Sequence, residues 1–355
     1  MCIRDRFIGG LIHSYCPELA EYIKKLLDEA EDPISLLFEP VSESSLQVFE
    51  KSRHEDLPAF KSQNDAVKWY LKGLNESGLC LMDNLKRHPN PLTQLRLFNF
   101  FCIFHLVRYM ALLEAFYCGE NIRPVLLDFS GIAPSQSSVA RASEMAYTQM
   151  HKSINRFYAW GYAQKLKEKD YSKEDLLQSE TPVYDEKKKA SVELNTLWNL
   201  AKERASACVT DDAARLVFGE TMYDMLALEA SSHPVNCLKI LGTSAGMLYP
   251  PDQMHPNKRF VLSQDILEMI LRSTVSPDEV LSGNDMRNRL WERFGIIIGG
   301  STYEIEKLQS SGMLLQIDED SLERNFTSFA ALLESMDFAE VMADGILQIR
   351  LGGSD

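Results

Sequence analysis

Hydrophobic positions fall on almost every side of a helix between Leu95 and Tyr117, with Leu97, Phe98, Phe101, Phe104, Leu106, Val107, Met110 and Leu113 covering more than one stripe. A helix that is apolar all round is either buried in a protein or spans a membrane. Arg96, His105, Arg108 and Glu114 interrupt this one, and ionisable groups are costly at mid-bilayer, so the pattern predicts a helix buried at the centre of a core. Arg108 is then expected at an edge of the bundle or in a buried ion pair. Gly119 suits the left-handed residue just past a helix end, Arg123-Pro124 pushes the chain extended, and Pro124 to Phe129 reads as a short buried strand.

The remaining periodicity is mostly helical. Pro17 to Ala30, Ser44 or Ser45 to Lys51, and Asn64 to Ser77 each carry one apolar face. Ser137 or Ser138 can cap a long helix reaching toward Lys169, along which Val139, Ala142, Ala146, Met150, Ile154, Phe157 and Gly161 recur every three or four residues. The small Ala142 and Ala146 permit close approach to the Leu95 helix. Two more amphipathic helices are predicted over Ser191 to Cys208 and Asp211 to Ala230, and Asn236 to Leu248 is apolar and rich in small residues. Toward the C-terminus come helices over Ser263 to Arg272, Ser282 to Phe294 and Thr302 to Ser311, then a strand over Met313 to Ile317. A helix over Ser321 to Met336 and a strand over Gly345 to Leu351 follow. Three helices followed by strand-like pieces resemble a winged helix. The predicted fold class is therefore mostly α: helical domains around a buried helix, with a C-terminal winged-helix-like α+β domain.

Charge and proline place the boundaries. Residues 1–6, MCIRDR, look like translated adapter sequence of the kind that begins metagenomic reading frames, and are expected to be non-native. A helical core domain is expected over residues 7–164. Residues 165–193 hold fifteen charged residues of both signs and read as a solvated linker or exposed excursion. Residues 194–250 are expected to pack on the core, and the proline-bearing Tyr249 to Lys258 leads into the winged-helix-like segment at 258–351.

Composition narrows the function classes. A chain of 355 residues with 45% hydrophobic content is long enough for two or three cores. A net charge of −14 and a pI near 5.1 argue against a surface that attracts nucleic acid as a whole. The seven cysteines have no paired spacing, which suits free thiols in a reducing cytoplasm, and no secretory signal is visible. No membrane partner is expected.

Candidate chemistry is sparse. Asp128, at the end of an apolar run and before Ser130-Gly131, has the position of a polar group delivered at a strand's carboxyl end, with Arg123 and Arg141 as neighbours for an enzyme site; the bland alternative is a turn cap or an arginine's ion partner. Arg287, Arg289 and Arg293 are the residues that could touch a DNA backbone. The segment Lys258 to Ile317 is nevertheless net −1, and the helix at Thr302 carries Glu304 and Glu306 against Lys307, so protein contact is favoured over groove reading. No phosphate-binding glycine loop, nucleophile elbow or metal-ligand spacing is present in the sequence, and no cofactor is expected.

KRHPNPLTQLRLFNFF (86–101), RPVLLDFSG (123–131) with SSVARASEMAY (137–147), and KRFVLSQDILEMI (258–270) with LWERFGIIIGG (290–300) together resemble uncharacterised accessory proteins of prokaryotic anti-phage defence islands. The resemblance implies a non-enzymatic subunit working beside an ATPase or nuclease of the same operon. The expectation is thus an adaptor that docks a partner protein through its C-terminal domain, with DNA binding and an enzyme at Asp128 as the alternatives.

Overall fold

The structure, a computed structural model, describes residues 3–29, 64–119, 121–182, 191–229, 234–253, 255–311, 317–343 and 345–351. Those residues are mostly helical, with a few short strands. Helices α1 (Ile3–Tyr15) and α2 (Pro17–Glu29) pack on α3 (Asp65–Arg87). The sequence pattern ends α3 near Ser77, but the helix continues to Arg87. Gly78 lies inside it, where a Cβ would fall 3.0 Å from the Cys16 thiol, so the glycine permits close approach of the α1-α2 junction despite its poor helix propensity. The helix expected between Ser44 and Lys51 falls outside the described residues, as does the strand expected over Met313 to Ile317 except for Ile317 itself, which is not in a strand.

The apolar stretch forms α4 (Pro91–Ala111) and α5 (Leu113–Cys118). Pro91 sits in the first turn, where a missing N–H is harmless, and the Asn90 side chain accepts from the N–H groups of Leu92 and Thr93. One helix is expected here, yet the chain breaks at Leu112 (φ −99°, ψ 1°), whose N–H is shared between the Arg108 and Tyr109 carbonyls. Gly119, at φ 75°, ends α5 as predicted. The next extended run supplies β1 (Val125–Leu126), and α6 (Ser138–Glu168) follows, capped by the Ser137 hydroxyl.

Helix α6 is the long strut of the molecule. Its N-terminal half lies against α4 and β1, and α5 meets it around Arg156 and Phe157. Its C-terminal end runs unbroken past residue 165 and is followed by α7 (Lys173–Gln178), α8 (Val192–Ser206) and α9 (Asp211–Glu229), of which α9 packs along it. These form a second apolar cluster around Trp198 and Phe218, whose ring centroids are 4.7 Å apart. Gly219 is where α9 crosses α6: a Cβ at that position would fall 2.2 Å from the Ala159 carbonyl oxygen, so only glycine permits the contact.

Helix α10 (Pro234–Ser244) returns to α4 and α6 and leads into β2 (Leu248–Tyr249), paired antiparallel with β3 (Arg259–Phe260). Then come α11 (Gln264–Arg272), β4 (Val280–Ser282), α12 (Gly283–Phe294), β5 (Ile296–Ile297), α13 (Thr302–Ser310), α14 (Glu319–Ser335), β6 (Ala339–Val341) and β7 (Leu347–Arg350). β5 pairs parallel with the distant β1, and β4, β7 and β6 form an antiparallel sheet in that order. One apolar cluster runs from Leu11 to Leu351. The C-terminal helices are part of it: Phe294 meets Phe104 edge-on at 5.2 Å, and the buried Asn84 amide donates to the Arg272 and Val275 carbonyls. Among the described residues no helix is long and apolar enough to cross a membrane.

Candidate functional site

The carboxyl ends of β1 and β5 lie side by side, and three buried polar side chains close them. Asp128 follows β1, with its side chain fully enclosed. Its Oδ1 accepts from the Ser130 N–H and hydroxyl at 2.9 and 2.6 Å, and its Oδ2 faces the Arg259 guanidinium at 2.7 Å. Arg259 also donates to the Ile132 carbonyl and lies 5.2 Å over the Tyr249 ring, so this pair ties the β2-β3 hairpin to the end of β1. The carboxylate thus caps a turn and pairs an arginine, in the bland arrangement that its sequence position allowed.

Glu304 does the same after β5. Its Oε1 accepts from the N–H groups of Ile298 and Gly299, at 2.9 and 3.0 Å, and its Oε2 from the Ser301 N–H and hydroxyl. A strand, a glycine pair and a helix N-terminus would make an anion cradle, but here the cradle holds the chain's own carboxylate. Asn325 of α14 then bridges the two strand ends: its amide donates to the carbonyls of Leu127 and Ile298, and its oxygen accepts from the Phe129 N–H. The three groups satisfy backbone that a two-residue parallel ladder leaves open.

The other residues singled out in the sequence go elsewhere. Arg123 faces Glu114 of α5 at 3.4 Å, and Arg141 is exposed on α6; neither is joined to Asp128. Arg287 is buried, stacks 4.2 Å over the Phe326 ring, donates to Asn284 and faces Glu304 at 3.7 Å. Arg289 grips Glu279 with both terminal guanidinium nitrogens and holds that carboxyl below its usual range. Arg293 donates to the carbonyls of Ser273 and Thr274. All three arginines of α12 are therefore engaged within the chain.

His105 and Ser77 are 3.3 Å apart, but the pair is sealed in the core among Phe101, Phe104 and Tyr70. Burial, then the positive charge of Arg108, push the His105 imidazole down to about 3, so it is neutral near pH 7. Among the described residues no cluster of His, Cys, Asp and Glu has the makings of a metal centre.

The surface offers a clearer feature at the end of the three-stranded sheet. The turn from β6 to β7 closes with the Met342 N–H donating to the Ile346 carbonyl, and Val341, Met342 and Ile346 are exposed there by 46%, 40% and 51%. The neighbouring α14 shows Glu319, Asp320, Glu323 and Glu334 to solvent against a single Arg324. No spacing motif announces this hairpin; Gly345 at φ 80° is the local signal for its turn. The fold and site together define a mostly helical protein with an apolar, acid-flanked hairpin at one end. No family model, curated protein or solved structure matches the chain.

Proposed function

We propose that the chain is a non-enzymatic adaptor whose C-terminal unit, winged-helix-like in order, docks a partner protein through the β6-β7 hairpin. The order supports this reading. α11, β4, α12, α14, β6 and β7 run helix, strand, helix, helix, strand, strand, with β7 between β4 and β6. In this reading the third helix is α14 rather than Thr302 to Ser310, and β5 with α13 is an insertion that joins the unit to the core through β1.

The observation that carries the proposal is the character of the hairpin and its neighbour. A DNA-reading wing and third helix would bring Lys and Arg to phosphate. This one brings Val341, Met342 and Ile346, flanked by exposed acidic residues of α14 and by Glu340. Exposed apolar groups in a mostly acidic surround, with Arg324 and with Arg350 paired to Glu340 as the exceptions, suit a protein partner that has an apolar cleft and a basic rim. The resemblance to defence-island accessory proteins points to an ATPase or nuclease encoded beside it as that partner.

Affinity purification of the tagged chain co-expressed with its genomic neighbours tests this. A complex that survives nuclease treatment, and is lost on combining Met342→Glu with Ile346→Glu while the melting temperature holds, is the expected result. Recovery of no neighbour, or a complex indifferent to those two changes, overturns docking by the hairpin. A complex dissolved by nuclease moves the weight to DNA.

A further inference from the structure

Glu114 of α5 is nearly enclosed, and two arginines converge on it: Arg123 at 3.4 Å and Arg156 of α6 at 3.2 Å. One carboxylate between two guanidinium groups leaves a positive excess. Beside them a cavity of about 370 Å³ is lined by Asn121, Arg123, Gln149, Lys152, Arg156 and Ser311, among others. Lys152 is exposed and adds a further cation. A second, much smaller cavity shares Arg123 and Gln149 with the first, and Arg108 of α4 lines it. Arg108 is only 4% exposed, and its Nε and Nη2 have no hydrogen-bond partner. A buried guanidinium with open donors is costly, and a chain of net charge −14 has many carboxylates that could have met it.

We infer that this cavity between α5, α6 and the end of α13 is a binding site for a small phosphorylated molecule, with Arg123, Lys152 and Arg156 contacting the phosphate oxygens and Arg108 supplying positive potential from beneath. Guanidinium forks match phosphate geometry and stay charged at every working pH. The volume falls at the lower end of small-molecule sites and exceeds what a bare phosphate needs. Ile122 is the apolar side chain in the lining, so the part of the ligand beyond the phosphate is polar, a sugar or polyol rather than a lipid or an aromatic base.

Calorimetric titration of the full chain with inorganic pyrophosphate at constant ionic strength, alongside thermal unfolding, tests the site. Lys152 and Arg156 are solvent-facing but Arg156 also pairs the buried Glu114, so the variant combining Lys152→Gln with Arg156→Gln is compared at a temperature where thermal unfolding shows it folded. The expected result is saturable binding, weakened about tenfold or more in that variant, since each lost charge-assisted bond is worth at least that. The combination of Lys169→Gln with Lys202→Gln, equal in charge but away from the cavity lining, should leave binding unchanged. Absence of saturable heat, equal weakening in both double variants, or a thermal shift reproduced by sodium chloride overturns the proposal. Tighter binding of succinate than of pyrophosphate overturns the assignment to phosphate.

Discussion

Replacing His105 by leucine should change how the protein's stability depends on acid, by an amount that follows from the ring's surroundings. The imidazole lies 4.3 Å from Phe101, 5.5 Å from Phe104 and 5.9 Å from Phe294, centroid to centroid, and Arg108 adds a positive charge nearby. Burial first and Arg108 second lower its pKa to about 3, against about 6.5 for an unfolded histidine. The folded state therefore binds fewer protons than the unfolded one between those values. The histidine's contribution is fully present above about pH 6.5 and is lost as pH falls, at up to about 1.4 kcal/mol per unit. Between pH 7 and pH 4.5 the loss is on the order of 3 kcal/mol. Leucine has a similar volume and does not titrate, and the Ser77 hydroxyl keeps its bond to the Leu74 carbonyl. Urea unfolding followed by tryptophan fluorescence at several pH values should show the wild-type curve falling below that of His105→Leu as acid is added. The other histidines are common to both proteins and cancel. Parallel pH dependences would refute the reasoning and mean that the imidazole is protonated, or solvated, in the folded state.

Three further outcomes follow from the packing. Asn325→Leu strands the Phe129 N–H and the Leu127 and Ile298 carbonyls in a buried place and should cost about 3 kcal/mol or more in urea unfolding; a loss under about 1 kcal/mol would mean that the bridge is dispensable. Gly219→Ala forces α9 away from the Ala159 carbonyl, and hydrogen exchange should quicken in α8 and α9 while the Leu95 helix stays protected; uniform exchange would deny the satellite core its separate stability. In thiol labelling with a neutral-pH disulfide reagent, the exposed Cys118 should react in the folded protein, whereas Cys16, buried and with its thiol pushed up to about 12, should react only on unfolding. Prompt labelling of Cys16 would contradict its place between α1 and α3.

Local signals were legible in the chain because their physics is local. Ser137, Ser263 and Ser282 cap the helices they precede, and Gly119 and Gly295 end them in the left-handed region, through bonds that span three or four residues. The all-round apolar pattern of Leu95 to Tyr117 marks that stretch as core, and its interruption by Arg96, His105, Arg108 and Glu114 argues against a membrane span. The position of Asp128 at the end of an apolar run fits a reactive carboxylate and an ion pair equally well. Its partner Arg259 lies far along the chain, and only the fold brings the two together.

The same distance hid the rest. Ile296 to Ile298, bounded by glycines, has the composition of a buried strand, but a two-residue strand is nothing without the partner at Val125, and that pairing is a property of the packed core. Glu304 and Asn325 carry no motif; their roles exist because backbone groups at the ends of β1 and β5 need partners once they are buried. Arg287, Arg289 and Arg293 look free in the sequence because charge counts ignore direction, and α12 turns all three onto neighbouring carbonyls and side chains. The sequence by itself determined where most helices begin and which stretch is buried, since periodicity and capping act over a few residues. Which charges are paired, which buried arginines keep open donors, and which hairpin is exposed were decided by tertiary structure, because each depends on groups that meet only after the chain has folded.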